Sequence, residues 1–145
     1  MKATTAVIFE KDDLMSTIKA LVIALAIVGS PLASAQSHKL MLFGGDDHKV
    51  YLGCLNCSEV ASDSVHNDIG RYGSDVSSTS IFNDVGVYGS DTSRYSPCND
   101  VASEPPVLVD EEGRFYGYLT LNDVKSKAIT DQKVIAWLKH KVCKK

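Results

Sequence analysis

The sequence predicts a mainly β chain with one C-terminal helix, in which short 16-residue repeats are flanked by β-hairpins. Three observations carry that expectation. Ser64-Val65-His66-Asn67-Asp68-Ile69-Gly70-Arg71-Tyr72-Gly73-Ser74-Asp75 returns as Ser80-Ile81-Phe82-Asn83-Asp84-Val85-Gly86-Val87-Tyr88-Gly89-Ser90-Asp91. Apolar runs joined by turn residues lie on both sides of that text. An apolar stripe of helical period closes the chain.

Ahead of these elements stands a three-part export signal. Met15-Ser16-Thr17-Ile18-Lys19 is basic, Ala20 to Val28 is continuously apolar, and Ala33-Ser34-Ala35 offers the small residues a signal peptidase reads. The expectation is a signal peptide over residues 1–35, cut before Gln36, because the apolar run is about half the ~20 residues a bilayer requires. Glu10, Asp12 and Asp13 fit an n-region poorly, so either Met1 or Met15 can be the start. Residues 36–145 are then one exported domain, secreted or periplasmic, with no membrane span left after cleavage.

The first expected hairpin joins Leu40-Met41-Leu42-Phe43 to Val50-Tyr51-Leu52 through Gly44-Gly45-Asp46-Asp47-His48. The repeats occupy residues 58–102, with a partial copy at Ser58-Glu59-Val60 and another at Ser96-Pro97-Cys98-Asn99-Asp100-Val101-Ala102. A fixed period means one structural unit used repeatedly. Each copy is expected to hold a short β-prone piece such as Ser80-Ile81-Phe82-Asn83, with Gly70, Gly73, Gly86 and Gly89 bending the backbone at positive φ. Two packings suit the unit. Solenoid-like coils would align Asn67, Asn83 and Asn99 in a column of mutually bonded amides, and an antiparallel stack would share a tyrosine face. The flanking hairpins would cap the ends.

The second hairpin spans 106–122, with Val107-Leu108-Val109 turning through Asp110-Glu111-Glu112-Gly113 into Phe115-Tyr116-Gly117-Tyr118-Leu119-Thr120-Leu121. Alternation puts Phe115, Leu119 and Leu121 on its core face. The helix is expected over 130–143, capped by Thr130 or Asp131, with Val134, Leu138 and Val142 on its apolar stripe and Trp137 beside it as a packing anchor. Charge divides along the same line: residues 36–124 carry 14 acidic and 5 basic side chains, while residues 125–145 carry 7 lysines and only Asp131. An acidic body with a basic tail suits self-association or attraction of the tail to an anionic surface, but the preferred expectation is simply a solvated lysine face on the helix.

Cys54, Cys57, Cys98 and Cys143 are expected as disulfides in an exported chain, and four cysteines allow three pairings. Cys57 stands at the repeat phase of Gly73 and Gly89, and Cys98 at that of His66 and Phe82. Cysteines at different phases can staple neighbouring copies, so a Cys57–Cys98 or Cys54–Cys98 bridge is expected, with Cys143 free or tying down the helix. No second close ligand pair supports zinc, and no βαβ pattern supports redox catalysis at the CxxC. Asp68, Asp84, Asp100, Asp75 and Asp91 recur as a calcium-binding repeat would need, although neither known calcium loop pattern is present. No cofactor, resident metal or catalytic residue is expected.

Met41-Leu42-Phe43-Gly44-Gly45, Tyr51-Leu52-Gly53-Cys54-Leu55-Asn56-Cys57, the Ser-x-x-Asn-x-x-Gly-x-Tyr-Gly-Ser repeats and Pro105-Pro106-Val107-Leu108-Val109-Asp110 together resemble an uncharacterised family of small exported bacterial proteins. The resemblance implies export and no particular activity. It also implies that the residue after the repeat asparagine varies between acidic and basic, and that an aromatic often stands where His66 and Cys98 do. The functional expectation is therefore a binding or structural module of the cell envelope. Tyr72, Tyr88, Tyr95, Tyr116 and Tyr118 are its candidate contact groups, and a cell-envelope glycan or another exported protein is the expected partner; nucleic acid is not. The alternative is an enzyme or enzyme accessory using the Gly44–His48 loop and the CxxC, or a calcium-binding repeat. Positions where the copies differ, at His66, Phe82 and Cys98, are the other place to expect function.

Overall fold

Leu40–Gly44 (β1) and Val50–Cys54 (β2) pair antiparallel, as do Val107–Asp110 (β3) and Phe115–Tyr118 (β4). The structure is a computed structural model that describes residues 37–145. The expected signal peptide over 1–35, its cleavage before Gln36 and the choice between Met1 and Met15 lie outside the described residues. β1 also pairs with β3, setting Leu42 opposite Leu108, so the sheet runs β2-β1-β3-β4. The mainly β class with one short C-terminal helix is what the sequence predicts. The two strand pairs do not sit apart as caps at opposite ends of the repeats, however. An isolated two-stranded pair is marginal in water. Joining through β1 and β3 gives four strands and buries Leu42 and Leu108 together in the core.

The core-face alternation expected for β4 stops short. A register shift between Leu108 and Val109 leaves Phe115 opposite Val109 near the sheet edge, and its ring is exposed. Beyond Tyr118 the chain leaves the sheet: Leu119 N–H donates to Pro106 O and Leu121 N–H to Pro97 O, both at 2.8 Å. Leu119 and Thr120 are consequently both buried.

Residues 58–102 form a chain of tight turns rather than β pieces. Backbone N–H groups donate three residues back at Ala61, Ser64, Asn67 and Gly70, and Ser74 then donates four back to Gly70. The same steps follow from Ser74 to Ser90, lacking only a bond at Asn83, and again from Ser90 to Ala102. Four steps of three residues and one of four account for the 16-residue period. Serine makes this possible. The Oγ atoms of Ser64, Ser80 and Ser96 accept the N–H two residues on, at 3.0, 3.1 and 3.1 Å. A serine closing its own turn competes directly with strand pairing. The asparagines act likewise within their own coil. Nδ2 of Asn67, Asn83 and Asn99 donates to the carbonyl six residues earlier, at 3.2, 3.1 and 3.0 Å, and the expected asparagine-to-asparagine column is not made among the described residues.

The repeat glycines differ from expectation as well. Among the described residues, positive φ at glycine occurs at Gly45, Gly53, Gly113 and Gly117, none of them in the repeats. Space is the reason for the repeat glycines: a Cβ at Gly73 or Gly89 would lie 2.3 or 2.2 Å from the carbonyl oxygen of Asn67 or Asn83. In each coil one apolar side chain, Val65, Ile81 or Pro97, is fully buried. Val65 and Ile81 meet Leu42, Leu52 and Leu108 in the core.

The expected C-terminal helix divides in two. Asp131 caps Gln132–Trp137 (α1), its Oδ1 accepting from Lys133 N–H and Val134 N–H. Leu138–Val142 continues as a π-helical turn. Both of its ends, Leu138 and Val142, are buried in the core, and Cys143 follows directly.

Candidate functional site

The disulfides define where the C-terminal segment docks. Cys54 pairs with Cys57 and Cys98 with Cys143, so neither expected Cys57–Cys98 nor Cys54–Cys98 bridge forms. Cys54 ends β2 and Cys57 lies a tight turn later, with Cα atoms 5.5 Å apart. That nearness fixes the local bridge and leaves Cys98 to take Cys143.

Cys98 shares its repeat phase with His66 and Phe82, and all three positions face the C-terminal segment. His66 and Phe82 each meet the Trp137 ring edge-on, with centroids 5.5 and 6.0 Å apart. The position where the copies differ is thus the line on which the C-terminal segment lies. His66 Nε2 donates to Leu55 O at 2.7 Å, because a carbonyl can only accept.

Beside this contact opens a groove of about 590 Å³, lined by Glu59, Val60, His66, Asp68, Phe82, Trp137 and Lys141. Two further grooves lie along the lysine-rich end. One of about 430 Å³ shares Asp68, Phe82 and Lys141 and adds Asp75 and Lys144. The other, about 470 Å³, sets Asp84 and Asp91 near Lys144 and Lys145. Lys133, Lys139, Lys141 and Lys144 are exposed, as a solvated helix face would be, while Lys145 is tied to the coils. Lys145 Nζ sits 3.1 Å from Asp100 Oδ1 and donates to Cys98 O at 2.8 Å.

The tyrosines singled out in the sequence lie elsewhere and do not form one face. Tyr72 packs on Gly53 and meets Tyr51 edge-on at 5.1 Å, and Tyr88 packs on Gly44 and Gly45. Both fill the seam between the turns and the sheet. Tyr95 is 6.5 Å from Tyr88, and its hydroxyl donates to Asp46, which also accepts from Arg94. That bond lifts the Tyr95 hydroxyl above its ordinary pKa. Tyr118 lies between His48 and Phe115, with Lys125 Nζ 4.6 Å above its ring.

Tyr116 is the exception in lining a separate, more apolar groove of about 390 Å³ with Leu40, Ile129 and Val134. Its hydroxyl donates to Asp110 Oδ2 at 3.0 Å. Asp110 is wholly buried, and it also accepts from Arg114 Nε at 2.6 Å and from the Glu112 and Arg114 N–H groups. Burial alone would push its carboxyl pKa up. The bonds from Arg114 and Tyr116 more than offset that and hold it well below the usual carboxylate range.

The loop of the enzyme alternative folds as a tight turn, with Asp47 and His48 at φ 57° and 53°. His48 Nε2 donates to Pro105 O at 3.0 Å. None of the four grooves described above is lined by Asp47, His48, Cys54 or Cys57. Among the described residues, no three His, Cys, Asp or Glu side chains are placed to hold a metal ion. The recurring aspartates are exposed and lie on separate turns, Asp100 beside Lys145. No helix among the described residues is long and apolar enough to cross a membrane. Neither family models, curated proteins nor solved structures match the chain.

Sequence reasoning did not assemble the Trp137 groove. The available signal was the shared phase of His66, Phe82 and Cys98, together with a lone tryptophan on the border of the helical stripe.

Proposed function

We propose that this chain is an exported binding module of the cell envelope, that the 16-residue repeats are its scaffold, and that the Trp137 groove seats a glycan. In this reading successive coils stack in phase and the two hairpins flank them in one sheet, and the chain is one of the small exported bacterial proteins its sequence resembles. Two disulfides among the described residues support export, because such bonds persist in oxidising compartments. The single observation that carries the ligand class is the lining of the groove: Trp137 and Phe82 rings beside Glu59, Asp68, His66 and Lys141. A sugar presents C–H faces to aromatic rings and hydroxyls to carboxylates and amines, and this lining answers both.

Trp137 is the only tryptophan, so intrinsic fluorescence reads the groove without a label. Titration with soluble cell-wall glycan fragments is expected to give a saturable change in emission. Asp68→Asn and Glu59→Gln, both at exposed turn positions, are expected to weaken binding about 5-fold or more without lowering stability, as lost charge-assisted bonds do. No saturable change with any envelope glycan up to millimolar concentration would sink the proposal.

A further inference from the structure

The tight turns carry a second pattern, which meets the grooves at Glu59, Val60, Asp68, Asp84 and Val85 and runs on beyond them. Val60, Ile69, Val76, Val85, Val101 and Val124 are 89, 96, 83, 90, 80 and 86% exposed. Scattered exposed aliphatics need no explanation, but these recur by rule. Val60 and Val76 occupy the same step of successive coils, while Ile69, Val85 and Val101 occupy another. Val124 repeats the second setting outside the 16-residue period. Its N–H donates to Asn122 Oδ1 at 3.2 Å, as Val85 N–H does to Asn83 Oδ1 at 3.3 Å. A carboxylate directly precedes every one of the six, and among the described residues only Asp100 of these acids is ion-paired. Turn chemistry requires the Ser or Asn at the head of each step; it does not require an exposed β-branched residue two places later.

Rows of bare aliphatics edged with free carboxylates fit a partner that is both basic and partly apolar. Two such rows cannot face each other, since like charges across an interface cost several kcal/mol. The chain supplies a complement: Lys133, Ala136, Lys139 and His140 are all exposed on the C-terminal helix. Lys133 and Lys139 make no ion pair among the described residues. We propose that the acid–aliphatic rows dock the lysine-bearing outer face of the C-terminal helix of a second copy of this chain, head to tail. Such an interface is heterologous, so it propagates into rings or filaments instead of closing as a dimer.

Sedimentation velocity of the disulfide-bonded protein tests this at about 10 mM and about 1 M salt, where the Debye length is about 30 and about 3 Å. The expected result is a mass that rises at least about twofold with concentration at low salt and falls back at high salt. Two variants separate the faces. Ile69→Ser/Val85→Ser/Val101→Ser removes the rows, and Lys133→Glu/Lys139→Glu reverses the helix face; both sets are exposed, and circular dichroism checks that they fold. Each variant alone is expected to stay monomeric, while their mixture forms a one-to-one dimer that grows no further, because one intact face remains on each. A protein monomeric under all conditions overturns the proposal. So does assembly that survives the helix reversal, or that appears only when polylysine is added.

Discussion

Removing the Cys98–Cys143 bridge should cost more than any other single cross-link change. The two cysteines are 45 residues apart, against 3 for Cys54 and Cys57. In the chain-entropy account, the longer closure restricts the unfolded chain by roughly 13 cal/mol/K, or about 4 kcal/mol at room temperature, and the shorter one by about 2. Alanine is the right replacement, because Cys98 is only 2% exposed and a serine hydroxyl there would need a partner. Leu138 and Val142 stay buried in the core without the bridge, so the helix should still dock and the groove still form. Urea unfolding followed by Trp137 fluorescence and by circular dichroism reads both quantities. Cys98→Ala/Cys143→Ala is expected to lose about 4 kcal/mol, about twice the loss in Cys54→Ala/Cys57→Ala, with native-like Trp137 emission before the transition. Equal losses, or a larger one at the short bridge, would show that the long bridge does not constrain the unfolded chain as argued.

Two further perturbations test the turns. Gly89→Ala places a Cβ 2.2 Å from the Asn83 carbonyl oxygen and should cost about 3 kcal/mol, whereas Gly113→Ala, at φ 79° with nothing within 4 Å, should cost only about 1. Urea midpoints decide, and a Gly113 variant less stable than the Gly89 variant removes the close-packing explanation. Asp110, held below its ordinary 3.8, contributes stability that is full above that pH and drains away as the pH falls through the depressed folded value. Asp110→Asn should therefore flatten the acid limb of a stability–pH curve, and an unchanged acid limb would mean that other carboxylates set it.

Apolar runs and turn residues made the strands legible, because a β1 or β3 segment is short, β-rich and bounded by Gly, Pro and Asp. Their joining was not legible. Nothing local says that Phe43 will sit beside Val107 across the whole repeat region, since that pairing is decided by what each strand can bury. The period of the repeats is legible in the sequence, but their local form is not. Ser80-Ile81-Phe82-Asn83 has apolar content that suits a strand, yet its serine is committed to the Phe82 N–H and its asparagine to the Val85 N–H. The signal that would have served is the three-residue rhythm of turn-forming residues at Ser74, Ser77, Ser80, Asn83 and Gly86. Asn122-Asp123-Val124 is not legible as a copy of the same turn, since it stands outside the 16-residue period. The groove was the least legible part, because Trp137 and His66 are 71 positions apart and meet only once the C-terminal segment crosses the coils.

The crossing explains why the copies agree and where they differ. Gly73, Gly89 and the serines at 64, 80 and 96 answer to constraints inside a single coil, so both complete copies meet them alike. The position after the buried Val65, Ile81 or Pro97 answers to something outside the coil. It faces a helix whose own side chains change along its length: Trp137 lies near the first two coils, and Cys143 lies at the third. His66, Phe82 and Cys98 therefore diverge because one non-repeating element runs across a repeating one. A groove between two such elements gains lining residues that no single repeat contains. Variation along that line is thus the sequence signature to look for where a ligand site is built onto short repeats.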